Sequence, residues 1–195
     1  KVLSAIFSDM REAHVERVET ALRIGYTEGE GIPQLMQRVR EAGKVNARGA
    51  ETIARTAVTH ISTEVAQETY ARNADLVAQV EWVSVLDSRT TDVCRARDGK
   101  RYDLDDGPRP PAHPRCRSTT SPVLADFPPP KRETYNGWLR RQSAEVQDEI
   151  LGVTRGRLFQ SGGLTVEQFV AKDGSSLTIA QLRAMFPDLF KRAGV

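Results

Sequence analysis

Three side chains in the middle of the chain have the chemistry of soft metal ligands: Cys94, His113 and Cys116, the last two at His-x-x-Cys spacing. Thiolate and imidazole are the donors that zinc prefers, and a structural zinc takes four of them. The set is one short, and Asp87 or Asp98 could complete it. The same residues support two other readings. Cys94 and Cys116 could close a disulfide, worth a few kcal/mol for a loop of this length. Alternatively, both thiols are small buried hydrophobes beside a hydrogen-bonded histidine. A catalytic reading would pair Cys94 or Asp87 with His113 as nucleophile and base. Against it, the chain has neither a glycine-rich phosphate loop nor a nucleophile elbow. The other histidines, His14 and His60, fall on expected helices.

The same region is rich in cations: Arg95, Arg97, Lys100, Arg101, Arg109, Arg115 and Arg117. On one face, the first six could contact the phosphates of double-stranded DNA without reading its sequence. Asp98, Asp103, Asp105 and Asp106 offset part of that charge. The plainer expectation is that most of these arginines pair internally, with Arg115 or Arg117 bonded to Asp87 or its acidic neighbours.

These residues need a scaffold, and the flanking sequence supplies it. In the first zone, residues 1–80, Ala50, Ile53, Ala54, Ala57, Val58, Ile61 and Val65 recur at helical spacing within Val45 to Arg72, predicting an amphipathic helix. A shorter helix is expected after Gly31-Ile32-Pro33, and another over Val2 to Ile24. The second zone, 81–125, changes character. Trp82 to Leu86 reads as a short strand ending in the turn-forming Asp87-Ser88-Arg89-Thr90. Asp98-Gly99 reads as a tight hairpin turn into a returning strand at Lys100 to Tyr102. The prolines of Gly107 to Pro114 favour an extended, stiff loop, and Ser118 to Val123 reads as one more strand. Phe127-Pro128-Pro129-Pro130 is expected to be a stiff linker. The third zone, 126–195, is helical, opening at Tyr135 to Arg141 with Trp138 and Leu139 as apolar anchors. Capping boxes at Thr165/Gln168 and Thr178/Gln181 follow. The expected fold class is therefore α+β, with mainly helical N- and C-terminal zones flanking a small loop-rich β unit.

Composition sets limits. The 195 residues can bury a core without disulfides, and 39% hydrophobic with 28% charged residues argues against wholesale disorder. The net charge is only +2, so any DNA contact must come from a local patch. No apolar run is long enough to cross a bilayer, and two cysteines do not describe a secreted disulfide scaffold. The chain opens on Lys1 with no signal region after it, so it is expected to be a processed product or the ordered part of a longer one.

The ordered motifs of the middle zone resemble the phage Mu F-like head morphogenesis family. They run from Trp82-Val83-Ser84-Val85-Leu86-Asp87-Ser88-Arg89-Thr90 through Cys94 and Asp98-Gly99-Lys100 to His113-Pro114-Arg115-Cys116-Arg117. Upstream, Ile53-Ala54-Arg55-Thr56 is similar to the family's Ile-Ala-Arg-Thr helix. Downstream, Tyr135 to Gln142 and Leu151-Gly152 resemble the region that follows in such proteins. The resemblance marks Trp82, Asp87, Arg89, Thr90, Gly99 and Arg117 as structural motif residues. Many relatives carry further cysteines where this chain has Arg97 and Ser118. The resemblance implies a minor head protein of a tailed bacteriophage, inside the virion near the portal vertex and made in the host cytoplasm. Portal protein and other head proteins would be its partners, with several copies per virion and a role in assembly, DNA packaging or ejection. Cytoplasmic assembly opposes a Cys94–Cys116 disulfide during folding, though a released virion meets oxidising surroundings. The alternative is a metal-dependent or thiol enzyme, a nuclease or transferase carried in the virion.

Overall fold

Small side chains set how the N-terminal helices meet. Ala50, Ala54 and Ala57 are buried along one stripe, with Ile53 beside them, and alanine lets a facing helix come close. That stripe belongs to α4 (Ala47–Arg72), the longest helix. It is preceded by α1 (Val2–Phe7), α2 (Glu12–Thr27) and α3 (Ile32–Gly43). In a computed structural model the protein is described over residues 2–8, 10–127, 131–161 and 163–195. The chain forms two compact units, Lys1–Val77 with Leu104–Thr120, and Ala78–Asp103 with Ser121–Val195.

In the first unit Val18 and Leu22 of α2 and Leu35 and Val39 of α3 meet the α4 stripe to make the core. Gly43 marks a close approach: a Cβ there would lie 2.8 Å from a Val18 methyl. Asn46 caps α4, its side chain accepting from Gly49 N at 2.8 Å. The loop between α2 and α3 is tied down by Arg38, which donates to Glu30 at 2.7 Å and also pairs with Glu28. The single helix expected over Val2 to Ile24 is instead two, α1 and α2. The Ser8 hydroxyl bonds back to Ala5 O at 2.9 Å, and Met10 N turns onto Phe7 O at 3.0 Å, a local alternative to helix propagation.

The second unit contains β1 (Val77–Val83), α5 (Asp92–Arg97), β2 (Arg101–Asp103), β3 (Thr119–Leu124), α6 (Tyr135–Arg140), α7 (Ala144–Leu151), α8 (Val153–Gln160), α9 (Ile179–Met185) and α10 (Pro187–Ala193). Strands β1 and β3 begin at the edge of the first unit. The sheet order is β2-β1-β3, with β1 and β2 antiparallel in the register Gln79 opposite Asp103. Val80, Trp82 and Ser84 are buried, the period of two a half-buried strand requires. A second core gathers Tyr135, Leu139, Leu158, Phe159, Phe169, Leu182 and Phe190. Both expected capping boxes form, Thr165 with Gln168 and Thr178 with Gln181. The strand expected at Trp82 to Leu86 begins earlier and ends at Val83, because Ser84 N donates to the Asp98 carboxylate at 2.7 Å rather than to a neighbouring strand. Of the linker expected at Phe127 to Pro130, the three prolines lie outside the described residues. The α+β class with helical ends and a small sheet holds.

Candidate functional site

The first unit presents His113 and Cys116 on a tight turn. Cys116 N donates to His113 O at 3.2 Å. Pro114 at the second position and Arg115 at φ +59° in the third match the torsional pattern of a type II turn. Position three of that turn normally calls for glycine, so Arg115 is held where an ordinary side chain costs about 1–2 kcal/mol. The opposing force comes from α4. Arg115 N donates to Thr56 Oγ1 at 3.0 Å, and its guanidinium reaches Thr52 Oγ1 at 2.9 Å and Arg48 O at 3.1 Å. It also pairs with Glu51 at 2.9 Å. Thr59 Oγ1 shares its one hydrogen between Cys116 O at 3.0 Å and Arg55 O at 3.1 Å. Further along the helix, Gln67 accepts from Arg109 at 2.7 Å and the Tyr70 hydroxyl reaches Thr120 O at 3.5 Å. Thus α4 has two faces: the alanine stripe packs on α2 and α3, and Thr52, Thr56, Thr59, Gln67 and Tyr70 grip the returning segment.

Within the turn, His113 Nδ1 lies 2.8 Å from Pro114 O. A carbonyl can only accept, so Nδ1 carries the hydrogen and Nε2 of the neutral ring keeps its lone pair. A hydrogen bond with Cys116 holds the imidazole above its usual pKa, against the opposing pull of burial. Cys116 is buried at 2% exposure.

In the second unit Cys94 lies on α5 and is equally buried. No disulfide joins the two cysteines. Cys94 O accepts from Ser84 Oγ at 2.9 Å, and Ser84 Oγ in turn accepts from Trp82 Nε1 at 3.0 Å. Soft donor side chains are thus His113 and Cys116 in the first unit and Cys94 in the second.

Asp98 has another task. Its side chain is fully buried and accepts from Ser84 N and Tyr135 N, each at 2.7 Å. Arg132 donates to both of its oxygens at 3.2 Å. Arg132 also reaches Glu81 at 2.7 Å and Trp82 O at 2.8 Å, so one guanidinium ties β1 to the start of α6. Asp87 accepts from Arg89 N at 3.1 Å and Thr90 Oγ1 at 3.2 Å, an aspartate-turn arrangement. Thr90 Oγ1 also donates to Val85 O at 2.5 Å. Gly99, at φ +79°, turns the chain into β2.

The cationic side chains divide by environment. Arg95 is buried, donating to Asp92 and Ile150 O at 3.0 Å and to Ser88 O at 3.2 Å, with Tyr135 beneath its guanidinium. Burial lifts the Tyr135 hydroxyl above its usual pKa, an effect that Arg95 opposes. Arg97 stacks on Trp82 at 5.1 Å. Arg109 and Arg115 are committed within the first unit, as described above. Lys100, Arg101 and Arg117 are exposed, Arg101 at 3.5 Å from Glu81. Arg132, Asp92 and the hydroxyl stripe of α4 did not emerge from the sequence as site residues. For the stripe a signal existed: Thr52, Thr56, Thr59, Thr63, Gln67 and Tyr70 recur every three or four positions.

Comparison with known proteins identifies one family. The phage Mu protein F like family matches residues 16–121, just over half of the chain, spanning α2 to the first residues of β3 with both cysteines and His113. The chain belongs to that family, and so to the bacteriophage head morphogenesis proteins. No curated protein and no solved structure matches it.

Proposed function

We propose that the protein is a minor structural component of the virion head, sited inside the head near the portal vertex and acting in assembly and in DNA packaging or ejection. The observation that carries this is the family match over residues 16–121. The side-chain bonding supports a non-enzymatic role: Asp87 and Asp98 spend their oxygens on turn and backbone N–H groups. Among the described residues no helix is long and apolar enough to cross a membrane, and portal and head proteins are the natural partners. Mass spectrometry of purified virions and procapsids, with co-purification on portal protein, tests the reading. A chain absent from both particles overturns it.

Zinc would be a structural ion with the thiolates of Cys94 and Cys116 and Nε2 of His113 as three of its ligands, and a donor other than Asp87 and Asp98 would complete the four it takes. Two thiolates neutralise its charge, and a carbonyl already orients the imidazole, as metal-bound histidines require. Elemental analysis with thiol counting separates zinc from a disulfide and from free thiols. Non-specific contact with DNA phosphates would fall to Lys100 and Arg101, which are exposed. Arg97 and the buried or internally bonded Arg95, Arg109 and Arg115 would contribute less. A salt titration of duplex binding tests this, since real phosphate contacts give a steep fall in affinity with salt.

A further inference from the structure

The backbone strain at Arg115 points beyond a simple turn. A non-glycine residue in the left-handed region persists only where its surroundings over-determine it. Here they do so with a row of polar groups from one helix. Thr56 accepts the N–H of Arg115 and Thr59 donates to the carbonyl of Cys116, so the two-residue step carrying the Cys116 side chain is pinned at both ends. The two threonines stand three residues apart on α4, one above the other. Thr52, Glu51 and Arg48 fix the Arg115 side chain beside them. Five positions over about three turns of a 26-residue helix therefore set where the His113 imidazole and the Cys116 thiol meet.

We infer that Thr56 and Thr59 are positioning residues that preset His113 and Cys116 as a two-donor half-site before any metal arrives. The inference rests on the zinc reading above and deepens it. Neither hydroxyl acts as a ligand. Each removes a degree of freedom that the ion would otherwise have to freeze, and outer partners of this kind change metal affinity by roughly 10- to 100-fold.

Cobalt(II), added to the full chain under reducing conditions, is the probe, because a thiolate–cobalt charge-transfer band reports ligation directly. Thr56→Val and Thr59→Val keep the branched shape and delete the hydroxyl, whereas Thr56→Ser and Thr59→Ser keep the hydroxyl. The valine variants are expected to bind cobalt roughly 10- to 100-fold more weakly, and the serine variants to recover most of that loss. Circular dichroism melts run in parallel show whether each variant is folded. Equal cobalt affinity in folded valine variants overturns the positioning role while leaving the metal reading intact. Equal weakening in valine and serine variants also overturns it, since the hydroxyl would then be irrelevant. An unsubstituted chain that gives no thiolate–cobalt band overturns the metal reading and this inference together.

Discussion

Asp98 is the residue whose removal should cost the second unit most. Its carboxylate is fully buried and serves Ser84 N, Tyr135 N and Arg132. In Asp98→Ala two backbone N–H groups lose their acceptor, at about 1–3 kcal/mol each. Removing one partner of a buried ion pair is put at about 3–5 kcal/mol, but the two figures overlap and do not add. Arg132 would keep Glu81 and the Trp82 carbonyl, and its side chain is 25% exposed, so the stranded charge stays partly solvated. A loss of about 4 kcal/mol follows, a large share of the roughly 5–15 kcal/mol that holds a domain folded. Asp98→Asn keeps one acceptor oxygen but turns an NH2 towards a donor, for about 1–3 kcal/mol. Both tryptophans, Trp82 and Trp138, lie in this unit, so their fluorescence follows it through urea unfolding. With an m value of about 2 kcal/mol per molar, the alanine variant should unfold about 2 M earlier in urea, with asparagine between it and the unsubstituted chain. A midpoint within about 0.5 M of that of Lys100→Ala, an exposed control, would refute the reasoning. An asparagine variant as unstable as alanine would show that charge, rather than the number of acceptors, holds the knot.

Three further outcomes follow from the same geometry. Gly156→Ala would place a Cβ 1.9 Å from Asp148 Oδ1 and 3.2 Å from its Cα, forcing α7 and α8 apart. A loss of about 1–3 kcal/mol is expected in the urea midpoint, and no change would mean that the helices have slack. Arg115→Gly relieves the left-handed strain but loses the side-chain anchor, whereas Arg115→Ala loses the anchor and keeps the strain. Alanine should therefore melt lower than glycine by about 1 kcal/mol, and the reverse order would remove strain from the account. Hydrogen bonding to Arg38 holds the Glu30 carboxyl below its usual range, and Arg55 does the same for Glu51. A depressed carboxylate stabilises the fold above its unfolded pKa and loses that contribution as pH falls through the folded value. The first unit should thus weaken on acidification below the ordinary glutamate range, less steeply in Glu30→Gln. Parallel pH profiles for the two chains would rule the pairing out as a source of stability.

What could be read from residue order depended on whether the stabilising contacts were local. The α4 stripe and the two capping boxes are local patterns, and each produced its element, whereas the Asp98-Gly99 turn follows the helix α5 and not the strand a hairpin would need. The end of β1 was not legible, because it is decided by a carboxylate 14 residues further on. Nor was the role of Arg132, whose partners Glu81 and Trp82 lie about 50 residues upstream. The polar face of α4 was visible as a period, but a run of threonines on a helix reads as solvated surface until something is known to lie against it. Thr56 and Thr59 act on a segment 59 and 57 residues away, respectively.

This long reach explains why the motif set is scattered yet ordered along the chain. A His-x-x-Cys turn carrying an arginine at a glycine-type position is too strained to hold its own shape. It needs a rigid surface that supplies hydrogen bonds at the turn's own spacing. A helix with hydroxyls every three or four residues does so while its opposite face packs a core. The Ile53-Ala54-Arg55-Thr56 stretch encodes both faces within four residues: Ile53 and Ala54 are buried in the helical core, and Thr56 meets the turn. Replacing that threonine should therefore leave the bundle intact and loosen only the turn, whereas replacing Ile53 should damage the bundle first.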